Sequence, residues 1–230
     1  WLAQVYHEEN MSEIEELLSS CCSLQNLKME GLRITSKMAV SICLNGTTLQ
    51  VLNLNHSFVD DIPTGRLNHF VPNGDFRSII KCCQKLKELD LNYTKTIDTD
   101  EELEGLSDYD LQVLVKHISP NVEKLNLLNQ DFEDEHVKIM LSRCSKIKVL
   151  TLETTFITND SLETIIKCLN LTLEELTLAH YGSFFLCLLE LKTMSRLKIL
   201  SLYDKYSSPT TPKHNKTEDK KVQNLRQQLP

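Results

Sequence analysis

A short hydrophobic pattern, leucine-x-x-leucine-x-leucine with other apolar residues at some positions, recurs seven times along the chain. Its first apolar residues lie at positions 24, 49, 86, 122, 147, 173 and 197. Alternating apolar and polar residues within each copy predict a short β-strand with one buried face. Apolar residues at helical spacing between the copies predict six helices, at 12–21, 36–44, 75–82, 109–118, 133–142 and 161–168.

The spacing between copies indicates the kind of repeat. Successive copies are 25, 37, 36, 25, 26 and 24 residues apart, and four of these six spacings fit the period of leucine-rich repeats. A strand joined to the next parallel strand through a helix builds a parallel sheet, with leucines packed between strands and helices. The sequence therefore predicts an α/β fold, a leucine-rich-repeat solenoid in the form of a horseshoe, with parallel strands on the concave face and helices on the convex face.

Two short patterns predict where helices begin. Ser12 with Glu15, and Asp160 with Glu163, have the spacing at which a capping side chain and a later carboxylate satisfy the first backbone amides of a helix. We therefore expect helix starts at Ser12 and Asp160.

The residues between the leucines must point away from the core, because side chains alternate along a strand. We call the resulting sheet surface the inner face and interpret it as the partner-binding surface. Its central row is predicted to contain Lys28, Asn53, Asp90, Asn126, Thr151, Thr177 and Ser201. The flanking rows are predicted to contain Asn26, Glu30, Val51, Asn55, Glu88, Asn92, Lys124, Glu153, Glu175, Ile199 and Tyr203. Five acids against two lysines make this surface polar and mildly acidic.

The repeat arc is predicted to cover 1–202, with two insertions that account for the long spacings. The insertion near 57–76 has the Pro, Gly and Asn residues of an exposed loop. The insertion near 97–110 holds seven acids and no base, so a solvated loop is expected, with a dock for a basic partner as the alternative. The polar tail, 203–230, has few apolar residues to bury and is predicted to be disordered.

Composition and motifs argue against several classes of function. The net charge is −7, so a nucleic-acid partner is not expected. The longest apolar run, 184–189, is too short to span a membrane. The seven histidines lie in no nucleophile, zinc or phosphate motif, and the paired carboxylates are adjacent in sequence and therefore point apart. We expect no catalytic residue, no metal and no cofactor.

The cysteine positions follow the repeat. Cys21, Cys83 and Cys144 each lie three residues before the first apolar residue of a copy. Buried free thiols in a reducing compartment are therefore expected rather than disulfides. Asn-x-Ser/Thr sites, such as those at Asn10, Asn45, Asn55, Asn92, Asn170 and Asn215, favour the alternative of an extracellular receptor.

Four segments resemble successive repeats of the leucine-rich-repeat F-box family: LSSCCSLQNLKMEGLRI, CQKLKELDLNYT, LQVLVKHISPNVEKLNL and LLELKTMSRLKILSL. The resemblance covers about 12–202, interrupted by the two insertions, and includes non-leucine positions such as Gln25 and Gly31. It implies a non-catalytic substrate receptor of an SCF-type ubiquitin ligase in the cytoplasm or nucleus. Such a receptor binds a target protein for ubiquitin-dependent degradation, with cell-cycle control as the expected setting.

The same resemblance implies the partners. In that family an F-box binds a Skp-type adaptor, which joins the cullin, and the repeat arc presents the substrate. We expect the F-box to lie outside this chain. A Cks-type protein is an implied further partner, and Tyr93 and His180 are implied contacts because the family has an aromatic and a basic residue there. A free-standing leucine-rich-repeat scaffold without ligase association stays open as the alternative.

Overall fold

A computed structural model describes residues 8–60, 75–98, 101–102, 105–153, 157–180 and 188–204 of the chain. The helices are α1 Glu8–Ser20, α2 Ser36–Leu44, α3 Phe76–Cys82, α4 Asp108–His117, α5 Asp134–Arg143, α6 Asn159–Leu169 and a 3-10 helix at Leu188–Thr193. The strands are β1 Asn26–Lys28, β2 Arg33–Ile34, β3 Val51–Asn53, β4 Phe58–Asp60, β5 Glu88–Asp90, β6 Lys95–Asp98, β7 Glu101–Glu102, β8 Lys124–Leu127, β9 Val149–Glu153, β10 Glu175–His180 and β11 Ile199–Asp204. These elements confirm the α/β class.

Each copy of the leucine pattern forms one strand of a seven-stranded sheet. The strand order is β1-β3-β5-β8-β9-β10-β11, and every neighbouring pair is parallel. Equivalent leucines are paired across the sheet: Leu52 is in register with Leu89, and Leu89 with Leu125. All three are at most 2% exposed. The leucines of the repeat therefore form one continuous row in the core.

The helices pack against one another in chain order, α1 on α2 and so on to α6, which contacts the 3-10 helix. The bounds of α2 agree with the sequence prediction, and those of α3 to α5 differ from it by one residue. Both predicted helix starts are wrong. Ser12 lies inside α1, and α6 begins at Asn159 with Thr158 as its N-cap, whose hydroxyl accepts from the Asp160 amide at 3.2 Å.

A second sheet, which the sequence did not predict, forms from segments that follow β1, β3 and β5; β4 and β7 lie within the two insertions, β6 reaches into the second, and β2 lies outside both. Its order is β2-β4-β6-β7, with parallel pairs except for the antiparallel β6-β7 pair. Val59 and Thr96 in this sheet are buried. The expectation of loops is therefore wrong at 58–60, 97–98 and 101–102, which form strands, whereas 61–74, 99–100 and 103–104 lie outside the described residues. At the other end, β11 extends to Asp204, two residues beyond the predicted arc, and 205–230 lies outside the described residues.

Buried polar side chains hold the second sheet to its neighbours. Asp110 is fully buried and accepts hydrogen bonds from the hydroxyls of Thr96 at 2.9 Å and Ser107 at 2.5 Å. The guanidinium of Arg77 lies 3.9 Å from the same carboxylate. The acidic run of the second insertion therefore contains a structural residue, because Asp110 joins β6 to the start of α4.

Asp134 joins the starts of α5 and α6. Its carboxylate accepts from the Thr158 amide and hydroxyl, both at 2.7 Å, and from the Ser161 hydroxyl at 2.5 Å. Partial burial acts to raise the pKa of Asp134, but the hydrogen bonds from Ser161 and Thr158 outweigh it, so the pKa is lowered. Among the described helices, none has the length and apolar character needed to cross a membrane.

Candidate functional site

The central row of the inner face forms as the sequence predicted. Register pairs align one row member on each strand of the seven-stranded sheet, from Lys28 on β1 to Ser201 on β11. The members in order are Lys28, Asn53, Asp90, Asn126, Thr151, Thr177 and Ser201. Lys28 is exposed and the other six are half-buried. The binding of a partner protein to this row stays a prediction.

Three members of the row also shape the ends of their strands. The side-chain Oδ1 of Asn53 accepts from the amide of Asn55 at 2.8 Å, and Asp90 and Asn126 repeat this bond two residues ahead, at 3.0 and 3.2 Å. Such side-chain turns end an extended segment by satisfying its next backbone donor. Asn53 also donates to Glu30 at 2.7 Å. The polar row is therefore partly structural, and only the remaining donors and acceptors are open to a partner.

A second row lies at the beginning of the same strands. It contains Asn26, Val51, Glu88, Lys124, Val149, Glu175 and Ile199. Val149 was missed in the sequence prediction, although strand alternation would have identified it. Glu88 and Lys124 form an ion pair at 2.7 Å, and the hydrogen bond and charge of Glu88 raise the pKa of Lys124. Both side chains are partly exposed, so this pair contributes less than about 1 kcal/mol to stability.

The two rows border a depression of about 300 Å³ on β1, β3, β5, β8 and β9. Its polar lining includes Lys28, Asn53, Glu88, Asp90, Lys124, Asn126 and Thr151. Apolar surface comes from Val51 and Val149 and from the leucines beneath. The depression thus combines side chains of both charge signs with an apolar floor.

Glu153 does not belong to the exposed inner face. Its side chain is only 7% exposed, and its carboxylate accepts from the backbone amide of Asn129 at 2.8 Å. Asn129 has a left-handed backbone with φ of 62°, and its amide meets the carboxylate on the next strand. The prediction that Glu153 is exposed on the inner face is therefore wrong, whereas its contact with a partner stays a prediction.

Tyr93, which the family resemblance implied as a contact, lies against His56. The two rings are stacked with centroids 4.7 Å apart and planes 7° apart. Both residues have positive φ, 53° and 56°, at equivalent positions after their strands. The neighbouring Asn92 and Asn55 have buried Oδ1 atoms that accept no hydrogen bond from the described residues. Tyr93 thus has a structural role in this stack, and its contact with a partner stays a prediction.

The C-terminal part of the inner face contains small hydroxyl side chains. Thr151, Thr177 and Ser201 are adjacent in register on β9, β10 and β11, and Glu175 begins β10 in register with Val149 and Ile199. His180 ends β10 with its backbone paired to Asp204, and its side chain lies outside the described residues.

Two of the three predicted core cysteines are buried. Cys83 and Cys144 are fully buried, and burial raises their pKa values to about 12 and about 11. Cys21 is half-exposed, so the prediction is wrong for the first repeat, where no earlier described strand covers it. The seven cysteines in the described part of the chain are free thiols. This part of the chain also contains no cluster of His, Cys, Asp or Glu side chains that could hold a metal ion.

No protein-family model matches the chain, and no curated protein matches it either.

Proposed function

We propose that this chain is a non-catalytic protein-recognition module, a leucine-rich-repeat solenoid bent into a horseshoe whose inner face binds a partner protein. Seven parallel strands in chain order, with helices that pack side by side in the same order, support this architecture. At about 4.8 Å per strand the sheet is roughly 29 Å wide, which suits a protein partner.

The observation that carries the proposal is the unbroken row from Lys28 to Ser201 beside a depression of mixed charge. Three of the row's polar groups, Asn53, Asp90 and Asn126, accept hydrogen bonds from backbone amides. They do not bond to one another as a nucleophile and its base would. A protein interface uses such fixed polar groups for specificity and the apolar floor for affinity.

We further propose that the bound protein is the substrate of an SCF-type ubiquitin ligase in the cytoplasm or nucleus. The support is the sequence resemblance to leucine-rich-repeat F-box proteins, in which an F-box outside the arc binds a Skp-type adaptor. The receptor would act by positioning, because holding the substrate near the ubiquitin donor makes the transfer effectively intramolecular.

The first experiment places a photo-crosslinking amino acid at Asn126 on the inner face, and in a parallel protein at Lys138 on α5, which is 71% exposed. We expect protein adducts from position 126 in cells and their loss when Asp90→Arg is added. Leu89→Asp should instead unfold the neighbouring repeats, because it buries a charge at a site that is 2% exposed. Adducts from position 138 alone would contradict the inner face as the binding surface.

The ligase is tested separately on the native full-length protein. Co-purification with a Skp-type adaptor is the expected result. Inner-face adducts without the adaptor would instead establish the free-standing scaffold.

A further inference from the structure

Six exposed basic side chains lie on one edge of the seven-stranded sheet, where its strands begin. We call this edge the strand-start rim and define it as the positions one and three residues before each strand. Its basic members are Lys85, Lys87, Lys146, Lys148, Arg196 and Lys198. Only Glu123 and Glu174 oppose them on the rim, so its net charge is about +4 in a chain whose overall charge is −7.

The fold itself does not require these cations. The positions equivalent to Lys85 and Arg196 in four other repeats are Ser23, Thr48, Asn121 and Thr172. All seven repeats form the same strand, so a neutral polar residue is sufficient there. The helix ends on α3 to α5 also carry cations, but those positions complement the helix dipole, whereas the rim positions lie beyond the helices.

The cations are regularly spaced, because they occur on alternate strands. Backbone hydrogen bonds of 2.7 Å run from Glu123 to Lys87 and from Lys148 to Glu123, so the three residues are consecutive steps across the sheet. The same ladder continues from Glu174 to Lys148 and from Lys198 to Glu174. Each basic pair is therefore roughly 9.6 Å from the next, which is two strand spacings.

Among the residues that the structure describes, four of the six rim cations have no carboxylate partner, whereas the other two form ion pairs. Lys148 pairs with Glu123, and Lys198 with Glu174, both at 2.6 Å. Within the described ranges, Lys85, Lys87 and Arg196 have no ion pair, and Lys146 donates only to the neutral Asn121 at 2.8 Å. The hydrogen bond and charge of Lys148, with further contributions from Lys87 and Lys146, lower the pKa of Glu123. The cations therefore act on a common region.

We propose that the strand-start rim binds an extended acidic polypeptide segment with a carboxylate at every third residue. A polyproline II segment rises about 9.3 Å over three residues, which matches the spacing of roughly 9.6 Å between the basic pairs. Opposite charges at matching spacing give such a segment both attraction and register. A peptide with spaced carboxylates is favoured over nucleic acid, because Glu123 and Glu174 lie between the basic pairs, where a continuous phosphate backbone would meet repulsion.

This surface differs from the inner face of the proposed function, and its test is independent of that proposal. The full chain is titrated against a fluorescein-labelled peptide of Glu-Pro-Pro repeats, with fluorescence anisotropy as the readout. A second peptide has the same composition, with its glutamates in one block. We expect the spaced peptide to bind more tightly and its affinity to fall with added salt.

The decisive variant is Lys146→Glu/Arg196→Glu, which should weaken binding at least about tenfold. Its matched control is Lys37→Glu/Lys138→Glu, which changes the net charge equally at side chains that are 82% and 71% exposed on α2 and α5. The control should stay within about twofold of the parent. The tail 203–230, which has six basic residues against three acids, is the same in all these variants and cannot cause a difference between them. Lys146→Gln/Arg196→Gln serves if the charge reversal unfolds the chain, as judged by circular dichroism.

Several results would overturn the proposal. Equal affinity for the two peptides would refute the role of carboxylate spacing. Equal losses of affinity in the two double variants would refute the strand-start rim as the binding site. Tighter binding of a single-stranded oligothymidylate of equal charge would assign the rim to nucleic acid. Self-association of the parent in sedimentation, lost in Lys146→Glu/Arg196→Glu, would assign it to a second copy of the chain.

Discussion

Replacing Gln130 with alanine is expected to destabilise the middle of the protein, because this side chain joins three chain segments. Gln130 is 1% exposed, and its Nε2 donates to the carbonyls of Leu91 and Thr94, both at 2.9 Å. Its Oε1 accepts from the amide of Leu106 at 2.9 Å. The amide group thus connects the residues after β5, the start of β6 and the segment before α4.

The expected cost follows from the backbone groups that would lose a partner. The Leu91 carbonyl also accepts from the Thr94 amide at 3.0 Å, so it stays satisfied without Gln130. The Thr94 carbonyl and the Leu106 amide lose the bond that Gln130 makes. At about 1–3 kcal/mol for each buried unsatisfied group, Gln130→Ala should lower the free energy of unfolding by about 2–6 kcal/mol.

Urea unfolding followed by circular dichroism measures this loss. The control is Gln112→Ala, at an exposed glutamine on α4 that donates to Asp108 at 3.0 Å, where we expect less than about 0.5 kcal/mol. Gln130→Glu keeps the volume but removes the donor and places a carboxylate beside two carbonyls, so it should be at least as destabilising as alanine. Equal unfolding midpoints for Gln130→Ala and Gln112→Ala would refute the reasoning.

Two further predictions rest on pKa values. Because the folded pKa of Asp134 is lowered, its contribution to stability is present above about 3.9, the pKa of an unfolded aspartate, and is lost as the pH falls toward the folded value. The difference in unfolding free energy between the parent and Asp134→Asn should therefore shrink below about pH 4, and a constant difference would contradict this. Burial raises the pKa of Cys83 to about 12, so iodoacetamide should alkylate the exposed Cys22 in the native protein and leave Cys83 unmodified until unfolding. Peptide mass mapping measures both rates, and equal rates would mean that Cys83 is accessible.

The seven strands, their parallel order and the central row were predictable from the sequence. A period of two residues determines which side chains share a sheet face, and the repeated leucines determine the register, since a slip of one residue would expose all of them. Asn53, Asp90 and Asn126 therefore lie in one row, as predicted. The helix of the second repeat was also predictable, because its apolar spacing gives the bounds 36–44 that the structure has.

Features that depend on residues distant in sequence came only from the tertiary structure. Gln130 bonds to residues 24 to 39 positions away, and the buried carboxylate of Glu153 accepts from an amide 24 residues earlier. The second sheet forms because segments after successive strands are brought side by side, which no single insertion reveals. The rim cations were visible as Lys-x-Lys pairs, such as Lys85 with Lys87, but only the stacking of repeats places them in line. A repeat encodes its own strand locally, whereas contacts between repeats depend on how the strands are stacked.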